Sequence, residues 1–512
     1  MDETSLRKIQ EEQAQEASSL PDSLFFQAQT TQDRDPCSKI LGNGVDKKAP
    51  VFSICTPWNA SDIIHAPSAG SLSCQWHSKL ESNFCQATNL LVDPSKIRVS
   101  KGGEDVKQVL GRPEADELPK YRAGALQLSQ CNLLHSDSTH INTAALPYHL
   151  FDMVKSVREG IPHSHCTVYE ERTTLIVTRY EYANLYHTYT DWYSAYQAAM
   201  IALQGNSTAM EQLHIVFFDG HAHAQVDMGW QLLFPNATVT YISHYNEHAC
   251  FRRVILVPPG YIAPTSLTVT EEHGECEKNK WTRRFRQMFV TNSIRQYRIQ
   301  QQQQQHNPQQ DSNIVKRPSS QTKSIRQIKN QNSNKGTTAL QIMLLSRANY
   351  QAHPRMNGKV TRVIRNEPEV LHFLQHYKGP DPPIGGLSKD NYPTNTHVKR
   401  VVLEDHTVAE QILLFQQADI IIGMHGAGLS HILVARPGTM LLEIRPPGFQ
   451  ELPHFRYLAH LAGCLHQPHD LQTEDEAEDP YPISIPAFEQ AFADSVAQFL
   501  EFNSKQLNNN LP

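Results

Sequence analysis

Apolar and polar positions along this chain fall into two stretches with the same rhythm. In the first, short apolar runs at 175–178, 215–218, 237–241 and 254–257 read as strands. Between the first two, Trp192, Ala195, Tyr196, Ala199 and Leu203 recur at helical spacing. In the second stretch, 342–345, 401–403, 420–422 and 440–444 read as strands. A helix over Val408–Gln417 sits among them, with Val408, Ile412 and Phe415 on its buried side. Phe488, Phe492, Val496 and Phe499 mark a C-terminal helix opened by Pro486. Strands alternating with helices in this way imply parallel sheets. The expected fold class is therefore α/β, with two Rossmann-like domains facing a central cleft.

The remaining segments lack such periodicity. Residues 1–50 are polar and are expected to be a disordered stem or tail. Residues 51–165 form a Cys-containing N-terminal region with turn signals at Gly102-Gly103, Pro113 and Pro119. Six consecutive glutamines, Gln300 to Gln305, open a Gln/Asn/Ser-rich stretch with too few apolar groups to offset its ordering entropy. A disordered insert over 299–337 is thus expected between an acceptor-side domain (166–298) and a C-terminal domain (338–504).

Composition narrows the function classes. Of 512 residues, 46 are Lys or Arg and 52 Asp or Glu, a formal net charge of −6. That balance does not support nucleic-acid binding driven by counterion release. No apolar window of about 18 residues exists, so no membrane span is expected in this chain. The first forty residues lack the apolar core of a signal peptide. The nine cysteines contain no CxxC pair, which removes zinc-finger spacing, and an odd number leaves at least one thiol free if the rest pair. Five of the nine precede residue 132, in an irregular region of the kind that disulfides staple in a secretory lumen. The sequons at Asn59, Asn206 and Asn236 are usable only in that same compartment.

The strongest local signal is the run 419–431, in which a continuous apolar strand ends at Gly423 and His425-Gly426-Ala427-Gly428 forms a small-residue turn leading into a helix. Backbone N–H groups at such a turn meet an anion, and small side chains let the backbone approach a phosphate. The plain alternative is a tight turn and nothing more. Between Ser312 and Asn366 there are eleven Lys or Arg and no acid. Arg347 directly follows the strand 342–345, at the carboxyl edge where α/β sheets bind ligands, and a guanidinium there can chelate a diphosphate. Arg355, Lys359 and Arg362 are weaker candidates nearby.

In the first stretch, His187 and Asp191 are four residues apart and can share a helical face, where a carboxylate orients an imidazole. Such a pair can deprotonate a hydroxyl nucleophile; alternatively, Thr190 or Asp191 caps the helix. Asp219-Gly-His221-Ala-His223 contains metal-ligand types, but an H-x-H pair without further spaced ligands is equally the polar end of a strand, and no metal is assigned. Glu443 is placed to accept bonds from ribose hydroxyls, or to pair with Arg445 or Arg436. No G-x-S-x-G, H-E-x-x-H or G-x-x-x-x-G-K-[ST] occurs.

The stretch 418–431 (ADIIIGMHGAGLSH) resembles the hallmark of the inverting glycosyltransferases of family 61. Within that family the chain is most similar to the plant N-glycan β-1,2-xylosyltransferase branch. The residues that carry the likeness are 182–196, Phe218-Asp-Gly-His221, Cys250-Phe-Arg-Arg253, 350–355 with Gly358-Lys359-Val360, Cys74-Gln-Trp76, Gly102-Gly-Glu104 and Glu117-Leu-Pro119. The resemblance implies a GT-B-like enzyme of the Golgi lumen that transfers xylose from UDP-xylose to the core β-mannose of protein N-glycans. It implies a nucleotide-sugar donor, with no tightly bound cofactor and no strict metal requirement. Arg347, Lys359 and the His425–Gly428 turn would hold the diphosphate and Glu443 the ribose, while His187 or Asp191 would face the acceptor hydroxyl. Related readings are a family member using UDP-GlcNAc or UDP-arabinose, and a non-catalytic glycan-binding protein of the same fold. The family's N-terminal signal anchor has no counterpart in this sequence.

Overall fold

The computed structural model describes residues 51–57, 69–77, 80, 82–133, 146, 148–160, 166–263, 265–266, 275–306, 339–347, 360–378, 396–472 and 479–509. The expected stem, the sequon Asn59, the candidates Arg355 and Lys359, and most of the glutamine-rich insert lie outside those residues. The glutamine run itself does not: Gln300–Gln305 continue the long helix Glu275–His306, so regular structure reaches further than its composition suggests.

Twelve strands and five helices carry the argument. The first sheet contains β1 (Val51–Pro57), β2 (Ser71–His77), β3 (Ser82–Val92), β4 (Val168–Val177), β5 (His214–Phe217), β6 (Thr238–Tyr241) and β7 (Ala249–Leu256). Its main path runs β6-β5-β4-β7-β3-β2-β1 and ends on Cys131–Leu133. The β6-β5-β4-β7 part is parallel, and β7 then pairs antiparallel with β3. The sheet thus runs unbroken across residue 165. Among the described residues three disulfides staple it: Cys74–Cys85 lies directly across the β2/β3 register, Cys55–Cys131 ties β1 to its neighbour, and Cys166–Cys250 ties the approach to β4 onto β7. Cys464 is a buried free thiol. Asn206 and Asn236 are exposed.

The second sheet is wholly parallel, in the order β9-β8-β10-β11-β12, from β8 (Leu340–Leu345), β9 (Thr396–Val401), β10 (Ile420–Met424), β11 (Met440–Arg445) and β12 (Leu465–Asp470). Its central strands are near-continuous apolar runs, as burial on both faces requires.

Helix α1 (Leu185–Ala202) starts where the Asn184 side chain accepts the Tyr186 N–H, and its residues are buried nearly all round. The reason is its position: α1 and α2 (Glu275–His306) are packed between the helices of the second sheet and the first sheet itself. One hydrophobic cluster contains Tyr189, Trp192 and Phe289 from α1 and α2. It also contains Phe415 of α3 (Val408–Gln417), Ile432, and Phe455 of α4 (His454–Ala462). Separate clusters cover the outer faces of the two sheets, the second under α5 (Ile485–Asn509). A capping box of Thr407 and Glu410 opens α3, and Gly463, at φ 68°, closes α4 in the left-handed conformation that favours glycine.

Candidate active site

The glycine turn expected to bind an anion lies at the carboxyl end of β10. His425 N–H bonds the Ile444 carbonyl at 2.8 Å, and the chain then enters the expected helix, Ala427–Val434, which is wound as a 3₁₀-helix. All residues from Leu429 to Val434 are buried, and the i to i+3 bonds at Leu429 and Ala435 hold the tighter winding. Arg347, at the end of β8, reaches this turn. A Cβ added to Gly426 would stand 2.1 Å from an Arg347 terminal nitrogen, so the glycine is what admits the guanidinium. Gly428 performs the same service for Leu403, at 2.7 Å. Burial raises the Glu404 carboxyl, while the Arg347 charge within electrostatic reach acts the other way.

His425 is held from behind. Its Nδ1 meets Glu443 Oε1 at 2.5 Å, and the other carboxylate oxygen takes His466 Nε2 at 2.6 Å. Glu443 is 0% exposed. Burial works against its charge, yet the two imidazoles hold its carboxyl below the usual glutamate range. The residue expected at the ribose therefore has both oxygens engaged within the protein. Arg445 and Arg436, its two alternative partners, pair instead with Asp470 and Asp419. The His425 ring also packs on Phe449 and Phe455, each with centroids 4.9 Å away.

Across from the turn stands the start of α1. His187 is half-buried, with its ring edge-on to Tyr180 at 4.8 Å and to Tyr186 at 5.3 Å; Tyr180 in turn stacks on Tyr261 at 4.9 Å. Tyr186 touches His454, the first residue of α4, at 4.9 Å, and His454 lies 6.1 Å from His425. A continuous line of rings thus runs from the start of α1 to the glycine turn. Burial first, then the imidazoles of His425 and His187, push His454 down to about 4.

Asp191 does not join that line. It is 2% exposed, its Oδ2 accepts the Tyr180 and Glu181 amides, and its Oδ1 accepts the Gly260 amide at 3.1 Å. Burial raises its carboxyl to about 7 against these three donors. Nor does it cap the helix, because Asn184 does. Its geometry is that of a brace for the turn carrying Tyr180. Gly260 has no room for a side chain against it: a Cβ would stand 2.3 Å from Asp191 N.

The Asp219-Gly-His221-Ala-His223 segment is committed elsewhere. Asp219 takes the Arg179 guanidinium and amide, with distances of 2.7 Å and 2.8 Å. His221 uses one nitrogen on Glu117 and the other on the Arg179 carbonyl, while His223 pairs with Asp227. Asp219, His221, Arg179 and Glu117 form a buried network beside the Tyr180 turn, with the exposed His223 at its edge. Among the described residues no group of three or more ligand side chains is poised for a metal.

His454 and His466 carried no signal in the sequence, since neither lies in a spaced motif; only the packing of α4 and the register of β12 beside β11 bring them in.

Residues 185–442 match the family model of glycosyltransferase 61. The chain is 30% identical over 437 residues to a β-1,2-xylosyltransferase of Oryza sativa subsp. japonica (RCN11), covering 83% of this chain and 73% of that protein. It is likewise 30% identical over 465 residues to a β-1,2-xylosyltransferase of Arabidopsis thaliana, covering 83% and 79% respectively. The matched span begins with α1 and ends within β11, taking in His187, Arg347 and the glycine turn, and the chain belongs to glycosyltransferase family 61 and is a glycosyltransferase.

Proposed function

We propose that this enzyme moves xylose from UDP-xylose, with inversion, onto the core β-mannose of protein N-glycans in β-1,2 linkage. The observation that carries the reading is the packing of Arg347 against Gly426 in the turn after β10, with His187 on the opposite side of the same line of rings. In this reading the two sheets are the cores of two Rossmann-like, GT-B-type domains, 166–298 on the acceptor side and 338–504 on the nucleotide side. Inversion is a single in-line displacement, so a base must stand opposite the leaving diphosphate. His187 is that base; Asp191 braces the turn beside it. Arg347 and the first N–H groups of the 3₁₀-helix, which have no partners within the helix, stabilise the charge that develops on UDP. Glu443 fixes the His425 ring at the same turn, an orienting role in place of a ribose contact.

The names of the two plant relatives favour xylose as the sugar. Three disulfides favour an oxidising compartment, consistent with work in the Golgi lumen. The test is incubation with UDP-xylose, UDP-GlcNAc or UDP-arabinose and a GlcNAc-terminated N-glycan, read by mass and then by linkage. Gain of one pentose from UDP-xylose, β-1,2 on mannose, is expected. Gain of a hexosamine alone would reassign the donor, and no transfer from any donor would leave a glycan-binding protein.

A further inference from the structure

We propose that His454 is a sugar-binding residue, donating a hydrogen bond from Nε2 to a hydroxyl of the pyranose carried by the nucleotide diphosphate. The inference rests on the donor reading above and specifies where the transferred ring lies.

Position is the first argument. During a displacement, the migrating sugar occupies the space between the groups that hold the leaving anion and the group that activates the acceptor. His454 is the residue found there. Its ring centroid is 6.1 Å from that of His425 on the nucleotide side and 4.9 Å from that of Tyr186 on the acceptor-side helix, and His187 is within electrostatic reach.

The state of the His454 ring points the same way. Nδ1 is buried with no hydrogen-bond partner among the described residues. The residue as a whole is only half-buried, so Nε2 is the nitrogen left toward the cleft. Burial keeps the imidazole neutral, hence one nitrogen carries the proton and the other a lone pair. An enclosed, unpaired N–H is rarer than an enclosed acceptor, which places the proton on Nε2, facing the cleft as a donor.

The ring is held in place by its neighbours. Tyr186 and Phe455, themselves almost fully buried, flank it at 4.9 Å and 6.3 Å. The site is also preorganised: α4 is pinned by buried Phe455, Leu458 and Leu461 and by the Gly463 cap, so His454 pays little entropy to engage a hydroxyl.

Calorimetry with UDP and with UDP-xylose, together with transfer kinetics, tests the assignment on the full chain and on His454→Ala and His454→Gln. His454→Ala is expected to weaken UDP-xylose about tenfold or more while leaving UDP affinity within about twofold, because UDP lacks the sugar. His454→Gln, whose amide still donates, is expected to recover part of that loss. Equal weakening of UDP and UDP-xylose overturns the assignment, as does unchanged UDP-xylose affinity in either variant or a Gln variant no better than Ala. Absence of UDP binding by the unmodified protein defeats the donor reading, and this inference with it. Intact UDP binding with unaffected variants defeats this inference alone.

Discussion

Tyr189 donates its hydroxyl to Nδ1 of His431 at 2.7 Å, across 242 residues of sequence. The other ring nitrogen of His431 donates to Gln411 Oε1, also at 2.7 Å, which fixes the tautomer from both sides. Tyr189 lies two residues after His187, and His431 closes the ADIIIGMHGAGLSH stretch, so this one polar chain registers α1 against the 3₁₀-helix that follows the glycine turn.

Tyr189→Phe removes the donor and leaves a buried nitrogen unsatisfied. A loss of about 1–3 kcal/mol is expected in urea unfolding. The same site shapes acid stability. Burial lowers His431 to about 3, against about 6.5 in an unfolded chain, so below pH 6.5 the unfolded state binds more protons. Stability is then complete above about pH 6.5 and falls progressively as pH drops toward 3. His214 and His454, lowered by burial to about 4, add to that slope. The decisive readout is therefore the difference between wild type and His431→Gln, with the variant expected to show the shallower acid dependence.

Arg347→Ala is expected to reduce transfer by at least about a hundredfold with little change in thermal midpoint, because the half-buried side chain contributes charge beside the glycine turn and belongs to no hydrophobic cluster. Gly426→Ala provides an independent test of the same geometry. Its methyl would stand 2.1 Å from the Arg347 terminal nitrogen, so the guanidinium must move. Both variants are expected to lose UDP affinity together. Full transfer activity in Arg347→Ala would remove the diphosphate role.

Glu443→Gln replaces an acceptor of two hydrogen bonds by a group that accepts only on one side. One imidazole then faces an amide N–H inside the protein, and a stability loss of about 3–5 kcal/mol is expected. The pH dependence has a definite sign. The folded carboxyl sits below its unfolded value, so its contribution is present above about pH 4.5 and is lost as pH falls through the folded value. In Glu443→Gln that part of the acid limb is expected to vanish, and transfer is expected to fall because the His425 ring loses its anchor. Scanning calorimetry from pH 3 to 7 checks the first and donor kinetics the second.

Most strands of both parallel units were legible because apolar periodicity reports burial directly, as at residues 420–422 and 440–444, but β12 and α4 were not read, and the expected strand at 401–403 only meets the end of β9, with Leu403–Asp405 winding into a 3₁₀-helix. The glycine turn and Arg347 were legible too, since each sits at a strand end where chemistry is constrained locally. Roles that depend on distant partners were not. Nothing near Asp191 in sequence announces the Gly260 amide, and nothing near Glu443 announces His466. The 3₁₀ winding of Ala427–Val434 was likewise hidden, because helical spacing over eight residues fits either geometry. The α1 start was read as a catalytic helix with an uncertain cap; Asn184, one residue before it, fills that place.

Asp219 separates a structural network from a metal site by experiment. Its partner Arg179 is 1% exposed and also reaches Asp227 at 3.1 Å, with its guanidinium 3.9 Å above the Phe217 ring. Burial works against the charge on Asp219, and Arg179 overrides it to hold the carboxyl below the usual range. Asp219→Ala strands that buried guanidinium on one remaining carboxylate, and a loss of about 3–5 kcal/mol is expected. Arg179 also precedes Tyr180, whose N–H is held by Asp191, so the disturbance reaches the turn beside His187 and transfer is expected to fall with stability. Because both oxygens of Asp219 and both nitrogens of His221 already have protein partners, the wild-type thermal midpoint is expected to be indifferent to a chelator or to added divalent ions. A chelator-dependent drop in the midpoint that Asp219→Ala abolishes would return these residues to the role of metal ligands.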